Sequence, residues 1–265
     1  MTPKGQQQSV KLFHHLAERL ADTLSTATKS YFLSLLFGIL LAIARRRTVT
    51  TWIQAAHISD EYRQAFYHMP NIGRKTPDLF DTILDSILET LAPVLAASSY
   101  IRIVLDDSPT KRYGKKVEGA GTHHNPTPGK TDATLCYGHS WVVAALVITH
   151  PLFGDIFFPI AAELYLRQKE IDKLKKKYNR TFQTKTAMAA AIIKCLAPKF
   201  ARFGKKIEVI VDGGYAKETV LLPLGTMNEV ITITRLRRDA ALFAIPARPV
   251  AQGRGRPRVY GGKLT

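Results

Sequence analysis

The sequence predicts an α/β chain: an N-terminal helical module, then a mixed five-stranded sheet in the order β-β-β-α-β-α-β, incomplete at its C-terminus. Two observations carry this. Apolar residues recur at helical spacing through the first hundred residues, and short β-branched runs replace them from Tyr100 onward. Three strand-like runs then follow one another before strands and helices alternate, which is the pattern of a mixed sheet. The chain has 265 residues and is 46% hydrophobic, enough for a true core.

The helices come first. Val10, Leu12, Phe13, Leu16, Leu20 and Leu24 place an amphipathic helix over 9–27. The run from Tyr31 to Ala44 reads as a second, largely buried helix, because it is shorter than the roughly 20 residues needed to span a bilayer. Thr48 or Thr50 caps a third helix through Trp52 and Ala56. A short helix is expected over 61–69, after a turn at 58–61. A longer one is expected over 78–95, with Leu79, Ile83, Ile87, Leu88 and Leu91 on one face.

The first strand is Ile101–Leu105, delivering Asp106 and Asp107 to its end. A polar loop over 109–128 follows. His139–Thr149 and Ile156–Leu164 are the second and third strands, the latter broken by Pro159. Beyond a charged stretch, Thr184–Phe200 is a helix with Ala189, Ile192, Ile193 and Leu196 inward. Ile207–Val211 is a fourth strand ending at Asp212. A short helix over 215–222 and a fifth strand over 230–235 complete the order, which is that of an RNase H-like core. The tail from Ile245 is rich in Pro, Gly and Arg and reads as a flexible basic linker.

Lys and Arg number 38 against 21 Asp and Glu, a net charge of +17. That excess points to a polyanionic partner, nucleic acid being the commonest. The two cysteines, Cys136 and Cys195, form no zinc-finger spacing and fit a reducing compartment. No signal peptide opens the sequence.

Asp106 or Asp107 with Asp212 form the main candidate site. In this strand order the first and fourth strands are neighbours, so their terminal carboxylates converge. Hard divalent cations take such oxygens, and a phosphate supplies further ones. Asp212-Gly213-Gly214 is equally a turn signal in its own right. Lys111, Arg112, Lys115 and Lys116 beside the Asp pair suit a phosphate backbone. Gly129-Lys130-Thr131 is no phosphate loop, because His124 stands where the first glycine is needed and no strand feeds it. His123 and His124 lack the partners of a zinc site, and His139 is at most a substrate contact. Arg254, Arg256 and Arg258 lie in a Gly-Arg-Gly-Arg-Pro-Arg segment suited to a narrow minor groove. Arg45, Arg46 and Arg47 precede a weak helix-turn-helix pattern over 45–63.

Together these residues resemble the DDE transposases of bacterial insertion sequences, the cut-and-paste branch with an RNase H-like core. The segments that carry the resemblance are Leu105–Lys116, Val211–Tyr215, Arg46–Trp52, Arg235–Leu242 and Gly253–Gly261. The resemblance implies an enzyme that cleaves DNA at transposon ends and joins the freed ends to a target with Mg²⁺ or Mn²⁺. It implies double-stranded DNA as partner, a homodimer in a synaptic complex, and a bacterial cytoplasmic, nucleoid-associated location without membrane attachment. Asp107 best matches the first family acid, with Asp106 as the alternative; Asp212 matches the second. Glu218, Glu229 and Asp239 do not stand where the third acid, a Glu, is expected. The domains implied are a DNA-binding helical module over 1–99, a catalytic core over 100–244 and a basic linker over 245–265. That linker would lead to a missing insertion and third-acid helix, so the expectation is a truncated, inactive copy. The alternative is a non-catalytic DNA-binding relic.

Overall fold

The computed structural model describes residues 3–43, 48–58, 60, 62–114, 116–125, 133–174, 179–236, 240–244, 246 and 260–264. Two compact units divide the chain: Met1–Ser99 with Ala145–Ala162, and Tyr100–Ala144 with Glu163–Thr265.

The first unit contains helices α1 (Pro3–Ala21), α2 (Thr26–Leu41), α3 (Val49–Ala55), α4 (Tyr62–Arg74) and α5 (Thr76–Ala97). Leu35, Ile53 and Ala65 are its buried centre, with Tyr31, Trp52 and Met69 packed against them. The Thr48 hydroxyl accepts the Thr51 amide at 3.2 Å and so caps α3. Gly38 lets α2 meet α3 closely, since a Cβ there would lie 2.2 Å from the Trp52 carbonyl oxygen. The expectation that the second helix is largely buried is corrected. Leu35 and Gly38 are covered, whereas Leu41 and Ile43 are 69% and 79% exposed. The run is apolar all round, and its neighbours in this unit cover only one side of it. Among the described residues no helix is long and apolar enough to cross a membrane.

The second unit is built on β1 (Tyr100–Lys111), β2 (Gly121–His124), β3 (Leu135–His150), β4 (Gly154–Tyr165), β5 (Lys206–Val211) and β6 (Val230–Thr234), with parts of β3 and β4 belonging to the first. Helices α6 (Gln168–Leu174), α7 (Lys185–Phe200) and α8 (Glu218–Gly225) accompany them. The sheet order is β2-β3-β1-β5-β6, with β4 also paired to β3. Six strands replace the five expected, because four residues of the polar loop pair antiparallel with β3 as β2. β4 runs through Pro159 unbroken; an edge strand tolerates a missing amide donor.

β1 and β5 are parallel, with Ile101 opposite Ile207 and Leu105 opposite Val211. Ile101, Ile103 and Leu105 alternate inward, as do Ile207, Val209 and Val211. Each such buried side chain stabilises the sheet by roughly 1.5–3 kcal/mol relative to exposure. Helix α7 packs on β1 and buries Met188, Ala189, Ile192, Ile193, Leu196 and Phe200.

One expected boundary moves. β1 does not stop at Leu105 but continues through both aspartates to Lys111. β5 ends at Val211, and the far half of β1 runs beside β3, where the Arg112 amide donates to the Tyr137 carbonyl at 2.9 Å. Gly138 permits that approach, because a Cβ there would lie 2.1 Å from the Thr110 carbonyl oxygen. The aspartates therefore sit where β1 runs on past the end of β5.

Candidate active site

The parallel register sets the geometry. Leu105 faces Val211, so the next residues, Asp106 and Asp212, emerge side by side, with Asp107 one step further along β1. β5 ends at Val211 while β1 runs on to Lys111, so the acids stand at the carboxyl end of β5 and partway along β1. Asp107 and Asp212 both line a pocket of about 450 Å³ shared with Thr184, Lys185, Thr186, Tyr215 and Glu218.

Each acid has defined local partners. Asp106 accepts the Asp107 amide through Oδ1 at 2.7 Å. Asp107 pairs through Oδ2 with the Lys185 ammonium. Asp212 accepts the Gly214 and Tyr215 amides through Oδ1 at 2.9 and 3.2 Å. The turn-forming role of Asp-Gly-Gly is thus realised, and it fixes the carboxylate beside β1. Gly213 and Gly214 make it feasible: a Cβ on Gly213 would lie 2.8 Å from the Arg235 carbonyl oxygen, and one on Gly214 3.1 Å from Asp212 Oδ1.

The acids act on one another and on Tyr215 electrostatically. Partial burial raises the Asp106 carboxyl above its ordinary range, and the charges of Asp107 and Asp212 raise it further. Tyr215 is 3% exposed, and its hydroxyl has no partner within strict hydrogen-bond geometry. Burial pushes that phenol up first, followed by the charges of Asp107, Asp106 and Asp212. Opposite them, burial lowers the His123 imidazole, as do the nearby charges of Lys185 and Arg167.

This donor set suits a hard divalent cation: carboxylates at the end of β5 and partway along β1, two of which line one pocket. Asp107 and Asp212, the two that line the pocket, are the pair that could hold it. Among the described residues no group of three His, Cys, Asp or Glu stands in metal-binding arrangement. Glu218 lines the same pocket without completing such a group.

The remaining expected residues are dispersed. Lys111 ends β1, and Arg112 is exposed just beyond it. Lys116 lines a separate pocket of about 470 Å³ with Arg167, Lys169 and Lys173. There the Arg167 guanidinium lies flat against Gly121, so closely that a Cβ would come within 2.4 Å of it. Arg45, Arg46, Arg47, Lys115, Arg254, Arg256 and Arg258 lie outside the described residues. His139 turns from the acids to the Glu118 carbonyl oxygen, 2.9 Å from its Nε2.

Sequence reasoning missed Lys185 and gave Tyr215 no role. The missed signal was topological. α7 leads into β5 and packs on its neighbour β1, so the start of the helix lies toward the carboxyl end of β5, where the acids are. Thr184 caps α7 by accepting the Ala187 amide at 3.1 Å. The Thr219 hydroxyl donates to that of Thr186 at 2.8 Å, tying the start of α7 to α8.

A family model described as DDE superfamily endonuclease matches residues 19–265. No curated protein matches the chain. The mixed six-stranded sheet with its helices is the RNase H-like α/β architecture consistent with that family. A nuclease of this family acts on DNA, and the family generally uses divalent metal ions.

Proposed function

Because the chain belongs to the DDE superfamily of endonucleases, we propose that it is a DNA transposase whose Asp107 and Asp212 support metal-dependent strand cleavage and transfer at transposon ends. The observation that carries this is the pocket lined by both aspartates, where β5 ends beside parallel β1. Mg²⁺ or Mn²⁺ bound there would activate the attacking oxygen and stabilise the leaving one. The protein's own part is to hold the carboxylates. The Asp212 turn and the β1 register fix them before substrate arrives, which lowers the reorganisation that cleavage requires. Asp106 shapes the field around the pair and holds the Asp107 amide.

The substrate in this reading is double-stranded DNA at the ends of a bacterial insertion sequence, and the working form is a homodimer at the nucleoid. Residues 1–99 form the DNA-binding module and 100–244 the catalytic core. The net charge of +17 supports such a partner. Arg45–Arg47, Lys111, Arg112, Lys115, Lys116, Arg254, Arg256 and Arg258 supply phosphate contacts. A second reading, a non-catalytic DNA-binding relic, is favoured by one observation: Lys185 already neutralises Asp107.

Nicking of supercoiled plasmid carrying candidate end sequences separates the two. The transposase reading expects Mn²⁺- or Mg²⁺-dependent nicking that Asp107→Asn and Asp212→Asn each reduce at least a hundredfold, with DNA affinity kept. DNA binding without nicking by the wild-type chain would favour the relic.

A further inference from the structure

Lys185 has no part in the cleavage reading above, yet its ammonium lies in the pocket against the favoured metal-binding acid. It is the first residue of α7, held by the Thr184 cap and the Thr186–Thr219 hydrogen bond. A capped helix start presents it at a fixed place. Its side chain and that of Asp107 are 29% and 26% exposed, so the pair is screened less than a surface pair. The Lys185 Nζ also stands 5.5 Å from the centre of the Tyr165 ring, a second station of cation–π type.

We propose that Lys185 is the resident counter-ion of the carboxylate site. It neutralises Asp107 in the metal-free protein, yields Asp107 to a divalent cation, and is then available to a DNA phosphate. This rests on the reading of Asp107 and Asp212 as metal ligands. Asp107 and Asp212 line one pocket, and the Lys185 ammonium is the cation placed against Asp107 within it. Lysine suits a displaceable role better than arginine, being a compact point charge on a flexible stem rather than a bidentate fork. Once released from Asp107, the ammonium remains at the pocket wall, within reach of a polyanion entering it.

Two measurements on the full chain test this. Mn²⁺ binding, followed by the electron paramagnetic resonance of free Mn²⁺, should be tighter in Lys185→Met than in wild type by about three- to tenfold. Lys185→Arg, which keeps the charge, should not show that gain. Affinity for DNA in Ca²⁺ should fall in Lys185→Met, and its dependence on salt should weaken by about one phosphate contact. The second measurement needs no variant: acetylation of Lys185, read by mass spectrometry, should rise severalfold in wild type when Mn²⁺ is added. Unchanged or weaker Mn²⁺ binding in Lys185→Met, or acetylation indifferent to Mn²⁺, overturns the counter-ion role and leaves the metal-site reading intact. Failure of wild type and Lys185→Met alike to bind Mn²⁺ overturns both.

Discussion

Leu105 stands opposite Val211 in the parallel register of β1 and β5, and that pairing aligns the aspartates that follow each. A slip of one residue would turn Asp107 or Asp212 to the other face of the sheet. The site is therefore as well defined as the packing of the apolar rows beneath it. Ile101, Ile103, Ile207 and Val209, each 1% exposed or less, set the register that the carboxylates use.

The turn after β5 should tolerate no side chain at Gly213. A Cβ there would come 2.8 Å from the backbone carbonyl oxygen of Arg235, which cannot rotate away. Gly213→Ala is expected to destabilise the protein by about 1–3 kcal/mol, the usual range for overpacking. Urea unfolding checks it; an unchanged midpoint would show that the end of β6 yields freely.

Asp106 should weaken the metal-free fold at neutral pH. Its folded carboxyl is raised above the ordinary 3.8, by burial first and by Asp107 and Asp212 next. A group raised on folding contributes stability that is present below its unfolded value and lost as pH rises through its folded value. Asp106→Asn should therefore be more stable than wild type at pH 7, with the difference closing toward pH 4. The gain is small, because Asp106 is partly solvated. Thermal midpoints at the two pH values measure it.

His123 has the opposite consequence on the acid side. Burial, then Lys185 and Arg167, hold its imidazole below the ordinary 6.5. Between its folded value and 6.5 the unfolded chain binds more protons, so stability rises with pH across that window. Wild type should lose stability as pH falls below 6.5, and His123→Asn should lose less over the same interval. Equal slopes in denaturant titrations from pH 5 to 7 would remove His123 from the account.

Much of this was legible in the residues, and the failures have physical causes. The helix expected over 184–200 and the strands at 101 and 207 showed themselves by periodicity, and the adjacency of the strands followed from strand order. β2 was invisible because Gly121-Thr122-His123-His124 has no apolar alternation; pairing with β3 makes it a strand. The continuation of β1 through Asp106-Asp107-Ser108-Pro109 was hidden in the same way, since turn-forming residues were held extended by a neighbouring strand. The exposure of Leu41 and Ile43 could not be read from composition, which records how apolar a helix is but not what covers it. Lys185 was missed because 78 residues separate it from Asp107, and only topology joins them.

The central claim is that Asp107 and Asp212 hold a divalent cation together. Fe²⁺ substituted for Mg²⁺, with ascorbate and peroxide, cleaves a polypeptide chain beside the bound ion. Cuts are expected near 106–107 and near 212–215 in the same molecules, suppressed by excess Mg²⁺ and lost in Asp107→Asn. Cuts confined to other parts of the chain, or cuts near Asp212 that persist in Asp107→Asn, would contradict it.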